Sequence, residues 1–156
     1  SFLGFSYDRG VIDIAPATRR KLLAKIRRAA RSLYRWRMRS GAGEERALRA
    51  MNRKFNRKFY DLQGGRELTW ARWYFPILNT DASLRVIDRY LQQYLRYLVT
   101  GRHNHVNLDR VPYGRLKACG YRPLVPAYYR YRRLGWTGLE SSPGTSAAFD
   151  RNEMNT

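Results

Sequence analysis

Candidate catalytic groups are scarce in this sequence of 156 residues. Two-metal phosphoryl chemistry needs clustered carboxylates, because two cations must bridge the attacking and leaving oxygens. The one adjacent acidic pair in the sequence is Glu44-Glu45, and it stands at a predicted helix start, where the helix macrodipole favours carboxylates. The sequence shows no arguable Ser/His/Asp or Cys/His arrangement and no phosphate-binding glycine loop. We therefore expect no catalytic residue and no cofactor in this chain.

The segment His103-Asn104-His105 could suggest a metal-dependent site. Zinc takes four protein ligands in a structural site, or three and a water in a catalytic one. Two histidines and a distant Cys119 supply too few ligands, and the surrounding loop is basic. We expect a polar loop without metal here, and we expect Cys119, just before Gly120, to be a small buried residue at a helix end.

Basic residues are the abundant chemical groups. The sequence has 31 Lys and Arg against 12 Asp and Glu, for a net charge of +19. Residues 16–58 alone hold 16 basic and 2 acidic residues. Such an excess predicts a polyanionic partner, most often nucleic acid.

The first predicted helix, over 16–39, has one apolar and one cationic face. Leu22, Ile26 and Leu33 lie on the apolar arc at helical periodicity. Exposed helices normally mix charge signs to gain stabilising pairs, yet no acidic residue lies between Asp13 and Glu44. A phosphate-facing surface therefore explains the pattern best, while a merely solvated face or contact with an acidic membrane remain alternatives. The predicted nucleic-acid-binding residues are Arg20, Lys21, Lys25, Arg27, Arg28, Arg31 and Arg35, with Arg53 and Arg57 on the second helix.

Aromatic residues accompany the arginines. They form two groups, Trp70, Trp73 and Tyr74, and Tyr128, Tyr129 and Tyr131. Aromatic rings near arginines can stack on bases. Helical spacing favours packing in the core for most of them.

The remaining pattern predicts a mainly α-helical bundle with a short N-terminal β-hairpin. Turn residues Asp8-Arg9-Gly10 separate two apolar runs. A second helix over 44–60, a short helix broken at Pro76, a third long helix capped by Asp81 or Thr80, and two short helices over 112–118 and 123–133 follow. In the third long helix, Arg85, Arg89 and Arg96 are predicted to share a stripe. From 135 the periodicity is lost, which predicts a flexible tail.

The composition indicates the class of protein and its cellular location. The hydrophobic share of 44% is ordinary for a globular protein. No apolar run approaches the roughly 20 residues of a membrane span. The single cysteine cannot form an internal disulfide, which favours the cytoplasm.

Several stretches together resemble a known family. "FLGFSYDRGVIDIAP", followed at once by "TRRKLLAKIRRAARSL", resembles the palm-to-thumb junction of bacterial reverse transcriptases, the group that includes group II intron, retron and phage-defence enzymes. "ELTWARWYFPILNTDASLRVIDRYLQQYLRYLVTG" and "LKACGYRPLVPAYYRYRR" are similar to the C-terminal region of abortive-infection and other defence-type members. The resemblance covers roughly residues 2–133.

The resemblance implies a C-terminal piece of a longer RNA-directed DNA polymerase. It divides the chain into a hairpin closing the palm (1–15), basic thumb helices (16–62), a C-terminal helical extension (63–133) and a flexible tail (134–156). The thumb would grip the primer–template or template RNA. Ala15 stands where the family often has a capping Ser, which implies a weak helix cap.

The same resemblance implies the partners. These would be RNA or an RNA–DNA duplex and the palm and fingers of the same parent protein, with no membrane. The Tyr-x-Asp-Asp metal-binding motif of the palm is not in this sequence, so Mg²⁺ is expected only in the palm of the parent polymerase. A role in antiphage defence is a further implication.

Two alternatives belong to other functional classes. One is a stand-alone structural RNA-binding protein, maturase-like or ribosomal. The other is an interaction module that docks on a protein or an acidic membrane. The reading frame upstream of Ser1 discriminates among them, because a Tyr-x-Asp-Asp motif encoded there would support the thumb.

Overall fold

The computed structural model describes residues 3–61, 69–103 and 106–140. This part of the chain is mainly α-helical and carries a two-stranded antiparallel hairpin at its N-terminal end, which confirms the predicted fold class. In chain order the elements are β1 (Phe5–Asp8), β2 (Val11–Ile14), α1 (Pro16–Ser40), α2 (Glu44–Tyr60), α3 (Trp70–Tyr74), α4 (Ala82–Thr100), α5 (Val106–Arg110), α6 (Tyr113–Ala118), α7 (Leu124–Leu134) and α8 (Thr137–Glu140).

The hairpin is closed by the predicted turn. Arg9 and Gly10 have φ angles of 50° and 83°, and positive φ at both central residues characterises the type I′ turn that suits twisted strands. Asn79 fastens the hairpin to the helices, since its Oδ1 accepts from the Ile12 N–H at 2.8 Å and its Nδ2 donates to the Gly10 carbonyl at 2.8 Å. Ile14, at the end of β2, is buried in the core.

Helix α1 begins and ends with different signals. Its N-cap, Ala15, supplies no side-chain hydrogen bond, as the sequence predicts, and Pro16 occupies the first turn. Gly41 ends the helix in the left-handed conformation at φ 70°. The predicted apolar face is confirmed by the burial of Leu22 and Ile26.

Helices α1 and α4 pack in parallel. At their N-terminal ends Arg19 Nη1 donates to Ser83 Oγ at 3.0 Å. At their C-terminal ends Arg37 Nη1 donates to the carbonyls of Leu98 and Val99 at 2.9 and 3.1 Å. These carbonyls belong to the last turn of α4, where free acceptors and the macrodipole favour a cation. Helix α2 packs against both of them.

A seam of side-chain hydrogen bonds joins α2 to the segment after α6. Asn52 Nδ2 donates to the Cys119 carbonyl at 3.0 Å, and Asn56 Nδ2 donates to the Gly120 carbonyl at 2.8 Å. Tyr60 Oη donates to the Arg122 carbonyl at 3.1 Å. The three donors are spaced by four residues, so they lie on one side of α2. The seam satisfies backbone carbonyls that no helix or strand satisfies.

The position of Arg96 differs from the one predicted from the sequence. The predicted stripe of Arg85, Arg89 and Arg96 is wrong for Arg96, which is only 7% exposed. Its Nε donates to the Val111 carbonyl at 2.8 Å. The long aliphatic stem lets the side chain cross packed surface while the charged end meets a carbonyl.

The C-terminal boundary also differs from the predicted one. A flexible tail was expected over 134–156, but Thr137–Glu140 forms α8 and Leu139 is 2% exposed. Arg122 Nη2 donates to the Leu139 carbonyl at 2.7 Å, and the Trp136 ring packs on Tyr131 at 4.5 Å. Four residues are too short to show a periodicity in sequence. Residues 141–156 of the predicted tail lie outside the described residues.

The predicted helices elsewhere are confirmed within one or two residues, and α5 is a further short helix that the sequence pattern does not predict. Within the described ranges, no helix combines the length and the apolar character needed to cross a membrane.

Candidate nucleic-acid interface

The outward face of α1 is a continuous cationic surface. Every predicted site residue on this helix is exposed. In the described part of the chain, none of their side chains makes a hydrogen bond or an ion pair. We call this set the α1 cationic face, and it consists of Arg20, Lys21, Lys25, Arg27, Arg28, Arg31 and Arg35.

Two other arginines of α1 behave differently. Arg19 and Arg37 point toward α4 and are held by Ser83 and by the last carbonyls of that helix. Arg37 Nη2 also lies 3.4 Å from Glu44 Oε1. Neither was a predicted site residue, and both tie helices together. Helix α1 therefore separates structural arginines on its packed side from exposed cations on the other side.

Four of the six basic residues of α2 lie in three different settings. Arg53 and Arg57, the predicted site residues, are exposed one turn apart. Arg46 packs its guanidinium over the Trp36 ring, 5.4 Å from the centroid. Lys58 lines the same groove as Lys21 of α1. The sequence prediction did not include Lys58 in the site, because its position beside α1 follows from the antiparallel packing of α2 and from no local pattern.

The acidic pair that could have offered catalytic chemistry is held by an arginine. Arg115 Nη2 lies 2.7 Å from Glu44 Oε2 and 2.7 Å from Glu45 Oε1. Cys119 Sγ donates to Glu45 Oε2 at 2.6 Å, and this bond, together with Arg115, lowers the pKa of Glu45. These contacts join the start of α2 to α6, so the acidic pair has a structural role. Its negative charges do not pair with the α1 cationic face.

Cys119 itself confirms the prediction of a small buried residue at a helix end. It is the C-cap of α6 and is 3% exposed. Burial, together with the nearby Glu45 carboxylate, raises the pKa of its thiol to about 11. A thiol with so high a pKa is a poor nucleophile and a poor metal ligand at neutral pH.

His103 is engaged in ring packing. Its imidazole stacks on Tyr97 at 5.1 Å and meets Tyr94 edge-on at 4.6 Å. Asn104 and His105, the rest of the motif, lie outside the described residues. Among the side chains that the structure describes, no three His, Cys, Asp or Glu residues come together as a metal-binding group.

The aromatic residues divide between core and surface. Tyr128 is 1% exposed, and its Oη donates to the Leu78 carbonyl at 2.6 Å. Trp70 packs on Tyr74 at 4.7 Å. Trp73, however, is 37% exposed, so core packing does not account for it.

The α1 cationic face has the dimensions and chemistry of a phosphate-binding surface. A 25-residue helix is about 37 Å long, which is about one helical turn of a duplex. Arginine guanidinium groups present planar forks that match phosphate oxygens. Such contacts position a nucleic acid without reading its sequence.

A scan against family models and searches of curated proteins and of solved structures found no match to this chain. The function must therefore be inferred from the residues and the fold of the chain itself.

Proposed function

We propose that this chain is the thumb and C-terminal extension of a bacterial reverse transcriptase, and that it grips the primer–template duplex or the template RNA. The observation that carries the proposal is the α1 cationic face, whose side chains are exposed and lack hydrogen-bond and ion-pair partners among the described residues. Together with Arg53 and Arg57 of α2, this face would contact phosphates.

Electrostatic repulsion within the face supports an external partner. Like charges at helical spacing destabilise a helix by a few tenths of a kcal/mol per pair. Three acidic side chains are engaged elsewhere, Glu44 and Glu45 with Arg115 and Asp81 with Arg85. A polyanion bound to the face would relieve this repulsion.

The hairpin supports a palm as the protein partner. Leu3, Tyr7 and Val11 are 61%, 75% and 47% exposed, respectively. A two-stranded hairpin is marginally stable alone and gains from packing against further structure. The palm would cover these apolar side chains, as the resemblance to the palm-to-thumb junction implies.

The proposed mechanism is positioning. The thumb would hold the duplex so that a 3′ end stays in a catalytic site built by the palm, where Mg²⁺ would supply the metal-ion chemistry. The residues of this chain would bind backbone phosphates and orient the duplex. A cytoplasmic location and a role in antiphage defence complete the proposal, the latter by family analogy alone.

Charge reversal on α1 tests the proposal. We expect Arg20→Glu, Arg27→Glu, Arg31→Glu and Arg35→Glu, combined, to weaken binding to an RNA–DNA duplex for all sequences and to flatten its salt dependence. Each lost phosphate contact removes about 0.9 from the log–log salt slope on B-form DNA. The measurement is a salt titration of the dissociation constant at fixed temperature, together with a thermal melt.

A matched variant reverses four exposed cations elsewhere. Arg89, Arg102, Arg110 and Arg133 are exposed and lie on other segments, so their reversal should change the slope less. An unchanged slope in the α1 variant, with normal melting, would contradict the proposal. Tight binding of structured RNA without binding of an RNA–DNA duplex would instead favour the stand-alone RNA-binding protein.

A further inference from the structure

A groove opens where α1, the end of α2 and α3 meet. Its volume is about 290 Å³, at the lower end of the range for small-ligand sites. Charged side chains of α1 and α2 and aromatic side chains of α3 form its walls. These side chains are Lys21, Lys25, Lys58, Trp70, Trp73 and Tyr74.

The charged wall of the groove is built from lysines, whereas five of the seven residues of the α1 cationic face are arginines. Lys21 and Lys25 stand one turn apart on α1 and are exposed. No acidic side chain is among the described residues that line the groove. Lysine ammonium groups act as compact point charges for phosphate, so this wall suits a single phosphate group.

The opposite wall offers an aromatic surface that is already held in place. Trp73 is 37% exposed, and its Nε1 donates to the Leu3 carbonyl at 3.1 Å. The Phe5 ring lies 6.3 Å from the Trp73 ring, and Trp70 packs on Tyr74. Because these contacts fix the indole before any ligand arrives, stacking on it costs little conformational entropy.

We propose that this groove binds one unpaired nucleotide next to the gripped duplex, with its base stacked on Trp73 and its phosphate near Lys21 and Lys25. The inference rests on the proposed function, because Lys21 and Lys25 also belong to the α1 cationic face. The groove thereby recognises a junction between paired and unpaired nucleic acid. Stacking of this kind tolerates any base, since every base has a π face.

The test compares three RNA–DNA duplexes with the same paired region. One is blunt, one has a short unpaired extension with bases, and one has an abasic extension of equal length. The abasic extension supplies the additional phosphates without bases, so the comparison isolates stacking. We expect the full-length chain to bind the base-bearing extension about fivefold or more tightly than the abasic one, and to show quenched tryptophan fluorescence on binding.

Variants assign the effect to the groove. Trp73→Leu should abolish the preference for bases while it keeps the affinity for the blunt duplex. Trp73→Phe keeps a ring and should keep most of the preference, and thermal melts of both identify any loss of folding. Lys21→Gln with Lys25→Gln should reduce the affinity gained from either extension more than the matched pair Arg28→Gln with Arg35→Gln.

Equal binding of the base-bearing and abasic extensions by the unmodified chain would overturn the inference and leave the duplex grip intact. A preference for bases that survives in folded Trp73→Leu would also overturn it. Failure to bind even the blunt duplex would overturn the proposed function and this inference together.

Discussion

Asp88 caps the N-terminus of a helix that is distant from it in sequence. It lies in α4 and is 6% exposed, and its carboxylate accepts from the Leu124 and Val125 N–H groups at 2.7 and 2.9 Å. These are free donors at the start of α7, whose N-cap Pro123 has no side-chain acceptor. Burial raises the pKa of the Asp88 carboxyl to about 6, although both backbone bonds oppose the shift.

This shift predicts a pH-dependent stability difference. The folded state binds the proton more tightly than the unfolded state, so wild-type stability falls as the pH rises from about 4 to about 6. The Asp88→Asn variant lacks this titration. We expect its free energy of unfolding, relative to wild type, to increase over that interval by up to about 3 kcal/mol, as measured by urea unfolding.

Asn52 is not a suitable comparison, because it is buried and its Nδ2 donates to the Cys119 carbonyl. Asn79, on the hairpin side, is exposed, and Asn79→Ala serves as the control, with a stability offset that stays constant with pH. A relative stability of Asp88→Asn that fell with rising pH would show that the ionised carboxylate is the favoured form.

At the scale of elements, the amphipathic helices were predictable from the sequence, but the way in which they pack against one another was not. The bounds of α2 and the buried face of α1 follow from periodicity in the sequence. The packing of Arg96 against the Val111 carbonyl, and of Lys58 beside α1, depends on how helices cross. The cationic residues of α1 and the aromatic group with Trp73 could therefore be named from the sequence, but their position side by side in one groove could not.

The seam between α2 and the segment after α6 gives an element-scale prediction. Asn52→Ala leaves the Cys119 carbonyl without its donor in a buried setting, and a lost buried hydrogen-bond partner costs about 1–3 kcal/mol. We expect a corresponding drop in the free energy of unfolding, measured by urea denaturation.

The neighbouring Arg53→Ala supplies the control, because Arg53 is exposed and its truncation should change stability by less than about 0.5 kcal/mol. Equal stability losses for the two variants would show that the Asn52 bond contributes nothing specific.

At the scale of the whole molecule, the chain combines an exposed cationic surface with a pair of carboxylates held by Arg115. The mainly helical fold and its N-terminal hairpin were predictable because each long helix shows its own periodicity. The parallel packing of α1 on α4 was not, since it rests on contacts such as Arg37 with Leu98 that join distant parts of the chain.

We predict that this chain alone does not polymerise nucleotides. Two-metal chemistry needs paired carboxylates open to cations, and Glu44 and Glu45 are bound by Arg115. The measurement is magnesium-dependent incorporation of deoxynucleotides on a primed RNA template by the purified chain.

The variant Glu44→Gln with Glu45→Gln distinguishes incorporation by this chain from incorporation by a contaminating enzyme. Incorporation that disappears in this variant would contradict the prediction, whereas incorporation that persists at the same level would point to a contaminating polymerase. A thermal melt confirms that the variant is folded.

The two arginine ties between α1 and α4 have a mechanical consequence. Arg19 and Arg37 anchor α1 at points 18 residues apart, or about 27 Å along its axis. A load applied to the outer surface of α1 is shared with α4 at both anchors, so α1 cannot slide along its neighbour without breaking one of them. A nucleic acid bound as proposed above would therefore load α1 and α4 together.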